Sequence, residues 1–545
     1  MKLSKLTLAV ATVLTANFTT SAFAMVLYVD SKTKQLYTEA GPGRQILGSF
    51  EQVQEGVPVK SGGDVSELRS KLELQDNQIK ALEEHAKESH DEGVVEIKKD
   101  GGIEFKSRDG NFKMAINGRM QVDSQVNANN QVLPPAATAG TLPNELNDGV
   151  ALRRARLGVE GTFFKDTIYK FEYDFTRGNG SVAAGVTDAY IGYNFSKPLQ
   201  IKFGSFKEPF SMEEATSNRY ITFIERNMIT NTFVDNLNTY KMGMGATYAE
   251  DRWQVAGSLQ TEAVGQNFNG LGASGATGGS SPSSIGANGG VNRNGGGGDT
   301  GWEVNARVSG TPWMESKSKF LHIGTSGSYI NLNNNYDGTN AFANGGAVFT
   351  ANPDTNVDRQ GILSTGNLTG GSRATGRRAD HLTRFGAESA VVYGSFSAQG
   401  EYIRTDISGQ GYGNGVALDG YYGYMSYFVT GESRAYKSKT GAWDRLTPTR
   451  NFDMKGGWGA WEVATGYDFI NLNDGVMNGG RLSTAKLGIN WYPNPHVRVM
   501  TNYVHALDIN TDIAGGGKFT GLNARSSAFN NTDFDIIETR VQLDW

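Results

Sequence analysis

From residue 111 to the end of the chain, apolar and polar residues alternate with a period of two. Tyr169, Phe171, Tyr173 and Phe175 are separated by Lys170, Glu172 and Asp174. A strand through them carries an aromatic face and a charged face. The pattern recurs. Ala189, Ile191, Tyr193 and Phe195 alternate with Asp188, Tyr190 and Asn194. Trp461, Val463, Thr465, Tyr467 and Phe469 alternate with Glu462 and Asp468, and Ile537, Thr539, Val541, Leu543 and Trp545 with Glu538, Arg540, Gln542 and Asp544. Sixteen such segments begin near residues 111, 150, 167, 186, 199, 239, 252, 302, 319, 381, 396, 416, 457, 480, 496 and 532. Each is close to the ~9–11 residues a tilted membrane strand needs. The repetition predicts an all-β transmembrane barrel of about 16 antiparallel strands, because in lipid only a closed sheet or a helix pairs every backbone amide.

The connections alternate too. Residues 127–149, 208–238, 261–301 and 334–380 are long, whereas 163–166, Lys197-Pro198, Glu250-Asp251 and Asn494-Pro495 are tight. Long loops outside and short periplasmic turns are the barrel pattern. One connection breaks it: 431–456 is long where a short turn belongs, and a hairpin hidden there would change the strand count. The final alternating strand ends on Trp545, which fits an outer-membrane assembly signal. The stretch 201–226 opens as an alternating strand and runs into a long, charged connection. It is expected to fold back into the barrel as the pore constriction.

The N-terminal part reads differently. Residues 1–24 have a basic start at Lys2 and Lys5, an apolar run from Leu6 to Leu14, and the small-x-small ending Ala22-Phe23-Ala24. This is the pattern of an export signal peptide. Removing it takes away two lysines and no acid, moving the net charge from −5 to −7. That balance argues against nucleic acid as a partner. No stretch approaches the ~18–20 apolar residues of a spanning helix. The mean hydropathy of −0.42 does not oppose a barrel, whose lumen and lipid faces cancel. The chain has no cysteine, which excludes thiol chemistry and Cys-ligated metal. No cofactor is expected.

Residues 25–60 read as a small β-rich periplasmic module with a Gly41-Pro42-Gly43 turn, to which no chemistry is assigned. A helix follows within 61–92. Asp64 is a candidate N-cap, Gly93 ends it, and Val65, Leu68, Leu72, Gln75, Ile79, Leu82 and Ala86 fall at alternating spacings of three and four. Two readings stay open: one amphipathic helix lying on a domain, or a short coiled coil joining identical subunits, with Gln75 as a polar layer. His85 and His90 on this helix are five residues apart, not the four that put two ligands on one face, so no metal site is expected. Residues 93–545 form the barrel domain.

Four motifs carry a resemblance: LRRARLGVEG (152–161), IKFGSFKEPFSMEEATSNRYITFIERN (201–227), TGESRAYK (430–437) and LGINWYPNPHVRVMTNYVHA (487–506). With them the chain resembles the phosphate-selective porin O and P family through most of 103–545. The resemblance implies a sixteen-stranded homotrimer in the outer membrane of a Gram-negative bacterium. It implies an outer-membrane lipid environment and a pore for anions, some members preferring phosphate. It also implies a central anion site at Arg153, Arg154, Asp188, Ser217 and Arg226. Strict alternation puts Arg154, Arg156 and Glu160 in the lumen. Arg153 falls on the outward parity and reaches the lumen only if the strand is irregular. Lys207 and Arg219 join the candidate lining through their place in the constriction stretch. Guanidinium groups suit phosphate because their forked donors meet paired oxygens.

Two departures cut against phosphate. The phosphate-specific members carry a lysine just before the ATS motif, where this chain has Glu214. They also carry an arginine ladder in the fifth loop, where residues 334–360 here hold Arg359 alone and Arg373, Arg377 and Arg378 come later without period-two spacing. Between 207 and 235 the positives are Lys207, Arg219 and Arg226, against Glu208, Glu213, Glu214, Glu225 and Asp235. A ring of one sign sets a channel's preference. Two readings follow: a porin for passive diffusion of small anionic solutes, or a general or cation-preferring porin that also contacts the cell wall through its N-terminal module. A barrel enzyme would need a nucleophile beside a histidine base. The six histidines, His85, His90, His322, His381, His496 and His505, form no recognisable catalytic motif, so a channel is expected and not an enzyme.

Overall fold

The computed structural model describes residues 24–30, 36–37, 39–42, 44–51, 69–81, 94–97, 102–128, 146–176, 185–235, 239–261, 301–332, 347–355, 357–358, 361–370, 376–512 and 518–545. It divides into two units, Met1–Asp91 and Glu92–Trp545. In the first, β1 (Ala24–Asp30) pairs antiparallel with both β2 (Leu36–Tyr37) and β3 (Arg44–Glu51). Helix α1 spans 69–81. Of the heptad positions it includes Leu72, Gln75 and Ile79, with Leu72 and Ile79 exposed in the single chain. Val65, Leu68, Leu82 and Ala86 lie outside the described residues, as do His85, His90 and the signal segment up to Phe23.

The second unit is a closed antiparallel barrel. A short hairpin, β4 (Val94–Ile97) and β5 (Ile103–Lys106), leads into it. The wall begins with β6 (Phe112–Asn127), β7 (Gly149–Phe163), β8 (Thr167–Asp174), β9 (Val186–Asn194) and β10 (Leu199–Lys207). It continues with β11 (Tyr240–Ala249), β12 (Trp253–Gln260), β13 (Trp302–Ser316) and β14 (Lys319–Asn331). The loop after β14 holds three two-residue strands, β15 (Thr350–Ala351), β16 (Leu363–Ser364) and β17 (Thr369–Gly370). Then come β18 (Arg377–Tyr393), β19 (Phe396–Gln410) and β20 (Val416–Phe428). The long turn that follows contains β21 (Tyr436–Lys437) and β22 (Ala442–Trp443). The wall ends with β23 (Ala460–Asp474), β24 (Met477–Asn494), β25 (Val497–Asn510) and β26 (Asp535–Asp544). β26 closes on β6, with Thr539 opposite Ser124 and Leu543 opposite Met120. The wall strands number sixteen, and each falls on one of the alternating segments. Trp545 exchanges backbone hydrogen bonds with Gly118, fixing the seam at the periplasmic end.

The long turn 429–459 hides no barrel hairpin. β21 and β22 pair only with each other, and β20 pairs directly with β23. The turn instead sends one lobe into the lumen and a second lobe back over the outer rim.

Period-two alternation survives as one buried row and one outward row. Phe203, Ile323, Phe385, Leu487 and Val541 stand outward and exposed, as lipid-facing side chains do. Inside, the extracellular half is not simply polar. Ile403, Ile407, Leu418, Ile470, Leu482 and Val504 from the wall pack with Phe233 and with Phe349, Leu363 and Leu368 of the fifth loop. The Phe233 and Phe349 rings meet edge to face at 5.5 Å.

Candidate functional site

The described part of the constriction loop, 208–235, lies between β10 and β11 inside the barrel. It contains two short helices, α2 (Met212–Ala215) and α3 (Met228–Phe233). Ser211 caps α2, its hydroxyl accepting from the Glu214 amide at 3.2 Å. It sits at φ 66°, a left-handed conformation costly for a non-glycine residue. Arg226 staples the loop to itself, donating to the carbonyls of Glu213 (3.2 Å) and Thr216 (3.0 Å) and pairing with Glu214 at 3.1 Å.

Several groups of residues hold the loop. On the β25–β26–β6 side, arginines and amides take its backbone carbonyls. Arg498 donates to Ile221 O at 2.6 Å, Arg540 to Ile224 O, Gln121 to Asn218 O at 3.1 Å and Gln542 to Arg219 O at 3.1 Å. On the β11–β19 side, Glu208 pairs with Arg384 at 2.6 Å and with Lys241 at 3.0 Å, and Lys241 also pairs with Glu303 at 2.8 Å. The Glu213 amide donates to Glu401 at 2.7 Å. From the periplasmic side, the inner lobe of the long turn adds another contact. Arg434 donates to Tyr220 O at 2.6 Å and pairs with Glu462 at 2.7 Å; the Trp443 amide donates to Thr216 Oγ1 at 3.2 Å. His322 lies between Tyr436 (2.7 Å) and Glu388 (2.9 Å), tying the same lobe to β14 and β18.

The side facing β7–β10 is open. Several charged side chains on this side keep measurable contact with solvent. Arg153 is 19 % exposed, Lys170 22 %, Asp188 16 %, Lys207 22 % and Asp235 22 %. Lys202 and Arg219 are also partly exposed. The strand registers order them by depth. Arg153 and Lys207 lie toward the loop ends of β7 and β10, whereas Lys170 sits opposite Glu160 and Lys202 opposite Gly192, nearer the periplasmic turns.

The predicted lining divides accordingly. Arg153 reaches the lumen through a β-bulge: Gln121 pairs with Arg154 and Val122 with Leu152, leaving Arg153 as the extra residue. It grips Glu225 with two hydrogen bonds, at 2.7 and 3.0 Å. Arg154 is buried against Gln121 at 2.9 Å. Arg156 is buried between Glu172 (2.9 Å) and Asp174 (2.8 Å). Asp188 pairs with Lys170 at 2.9 Å and so tunes a lysine, not an arginine. Lys207 pairs with Glu214 at 2.6 Å. Ser217 is half-buried beside Arg219, whose guanidinium donates to Gly118 O at 3.3 Å. Arg226 is buried and committed within the loop. The structure therefore leaves Arg153, Asp188, Lys207, Ser217 and Arg219 partly exposed to solvent and buries Arg154, Arg156 and Arg226.

Sequence reading missed Lys170 and Lys202 as lining groups. Lys202 stacks over the Phe206 ring at 4.2 Å and the Tyr190 ring at 5.2 Å. Strand parity carried through β8 and β10 finds both.

The fifth loop offers no arginine ladder among its described residues. It inserts Asp354, which accepts from Thr484 at 2.7 Å and pairs with Lys486 at 3.3 Å. Arg377 lies over the Phe519 ring and Arg378 pairs with Asp380 at 2.7 Å; Arg359 and Arg373 lie outside the described residues.

The model of the family "Phosphate-selective porin O and P" matches residues 116–514. Porin O of Pseudomonas aeruginosa is 28 % identical over 440 residues, covering 76 % of this chain and 87 % of that protein. An uncharacterized protein of Caulobacter vibrioides is 25 % identical over 412 residues, covering 75 % and 71 %. Among solved structures, in-vitro folded OmpT of Vibrio cholerae covers 80 % of this chain and 98 % of its own at 12 % identity, with a TM-score of 0.43. An anion-selective porin from Comamonas acidovorans covers 80 % and 100 % at 9 % identity, also with a TM-score of 0.43. With a closed sixteen-stranded barrel, a loop folded into its lumen and a family match over most of its length, the chain belongs to the phosphate-selective porin O and P family, channel-forming porins of the Gram-negative outer membrane.

Proposed function

We propose that this porin passes small hydrophilic anions by passive diffusion along the β7–β10 wall, with phosphate among its solutes. One observation carries the reading. The charged groups that touch water along this wall are Arg153, Lys170, Lys202, Lys207 and Arg219 against Glu160, Asp188 and Asp235. The acids that tip the loop's own sequence toward negative charge, Glu208, Glu213, Glu214 and Glu225, are each 3 % exposed or less and bonded to protein. Their charge is spent holding the loop. Asp188 beside Lys170 and Glu214 beside Lys207 keep these cations partly neutralised. That favours release, which conduction needs as much as binding. The same two pairs, and a fifth loop without a ladder, support broad anion preference over a tight phosphate site.

Reversal potential in a salt gradient across a planar bilayer tests this. The expected sign is that of anion selectivity; cation selectivity would overturn the reading. Reversible single-channel block by phosphate, absent with chloride, is expected to be weak.

The reading is that of a channel, not an enzyme: His322 is fully buried and used as a tie between Tyr436 and Glu388. We assign 1–24 to a signal peptide, 25–60 to a periplasmic module, 61–92 to a trimer-forming coiled coil and 93–545 to the barrel. The exposed Leu72 and Ile79 on α1 support the coiled coil, since a lone helix leaves that seam in water.

A further inference from the structure

The outer lobe of the long periplasmic turn spans residues 450–458. It folds back over the lipid-facing side of the barrel. The Phe452 amide donates to Pro493 O at 2.7 Å, and the Phe452 ring meets Trp491 edge to face at 5.3 Å. Trp461 and Trp491 are an outward cross-strand pair, in line with exposed Val463, Leu487 and Ile489. Both donate their indole N–H to Trp458 O, at 3.2 and 2.9 Å.

The lobe pairs part of its own backbone. Asp453 Oδ1 accepts from the Lys455 and Gly457 amides, each at 2.8 Å, and the Asp453 amide donates to Gly457 O at 3.3 Å. Arg450 donates to Lys455 O at 3.1 Å and pairs with Asp453 at 2.8 Å. Gly456 adopts φ 102°, and a Cβ at Gly457 would lie 2.0 Å from Asn451 O, so the turn demands its glycines. Yet its tip is apolar and uncovered: Met454 is 87 % exposed and Trp458 70 %. Lys455, next to Met454, is exposed and has no ion pair among the described residues. An apolar tip flanked by cations, continuous with an outward tryptophan pair, matches a bilayer interface, where aromatic rings sit at headgroup level and lysine meets anionic lipid.

We propose that residues 450–458 dock into the phospholipid leaflet on the periplasmic side of the membrane, with Met454 and Trp458 below the headgroups and Arg450 and Lys455 on an anionic headgroup.

The chain has no cysteine, so one nitroxide label on Met454→Cys reports this lobe alone. The full-length porin is reconstituted in phosphatidylethanolamine–phosphatidylglycerol vesicles, with labels on Ile489→Cys and Asp109→Cys as lipid-facing and aqueous controls. Collisions with oxygen are expected to exceed those with a water-soluble nickel chelate, as for the Ile489 control. Accessibility matching the Asp109 control would overturn the proposal. So would dipolar broadening between labels, which would give the lobe to a second copy of the chain. A second arm compares phosphatidylglycerol retention with phosphatidylcholine retention by native mass spectrometry of wild type and Arg450→Gln/Lys455→Gln. A severalfold preference lost in the double variant is expected; an unchanged preference would overturn the headgroup contact.

Discussion

Lys241 and Lys207 flank the constriction loop, at the start of β11 and the end of β10, and both are lysines paired with a glutamate of that loop. Lys241 is fully buried between Glu208 and Glu303, with Arg384 completing the set. Lys207 pairs with Glu214 yet keeps 22 % of its side chain in solvent. The first belongs to the sealed side, where β11, β13, β14 and β18–β20 meet the loop and the inner lobe of the long turn. The second belongs to the open side along β7–β10. The difference teaches that a lumen charge bears on ion flow only where water reaches it. On the sealed side charges act as structure. Their desolvation is offset by close pairing, and losing one partner leaves the other buried and alone.

The largest expected effect therefore comes from the sealed side and concerns stability. Lys241→Met leaves Glu303 facing Glu208 with Arg384 as the remaining cation. It is expected to cost ~3–5 kcal/mol, the usual penalty for orphaning a buried charge. Denaturant titration of the reconstituted barrel, followed by tryptophan fluorescence, measures this. Channels that do fold should keep the wild-type reversal potential. A shifted potential at unchanged stability would mean that ions pass on that side and would dissolve the distinction.

Much of this was legible in the chain, and the gaps have identifiable causes. All sixteen strands were readable because a barrel wall in lipid imposes period two on every strand. The constriction loop was placed by its length and charge. The odd length of 431–456 was also visible, but periodicity says nothing about a segment that enters the lumen and returns over the rim. Arg153 needed a bulge that parity alone does not locate. The loop's sign was misleading for a further reason. Glu208 meets Arg384, 176 residues away, and Glu225 meets Arg540, 315 residues away. A window of sequence counts those acids without their partners.

Glu214 tests the boundary between the two sides, because it is fully buried yet neutralises the half-open Lys207 at 2.6 Å and holds Arg226 at 3.1 Å. Glu214→Gln should release the Lys207 charge into the solvent on the open side, while Arg226 keeps Asp235 at 3.7 Å and two carbonyls. Anion-to-cation permeability is expected to rise about two- to fivefold. That corresponds to ~0.5–1 kcal/mol, the scale of one charge acting over a few ångströms through water. No change in reversal potential would place Lys207 outside the conducting path.

Lys202 offers the smallest and most discriminating effect. It has no carboxylate at ion-pair distance among the described residues, and its ammonium rests on the Phe206 ring at 4.2 Å. Lys202→Gln removes a charge that nothing in the fold depends on for pairing. Stability should stay within about 0.5 kcal/mol of wild type, as for substitutions away from buried networks. Anion preference should fall about twofold in dilute salt, equivalent to ~0.4 kcal/mol, and the Lys202→Arg variant should restore it. The decisive feature is ionic strength. A charge acting through water is screened over ~10 Å at 0.1 M salt and over ~3 Å at 1 M. On the open side the difference between Lys202→Gln and wild type should therefore fade as salt rises. A difference that persists at 1 M would mean that the lysine shapes the passage by its bulk, and the open side would then work by packing as the sealed side does.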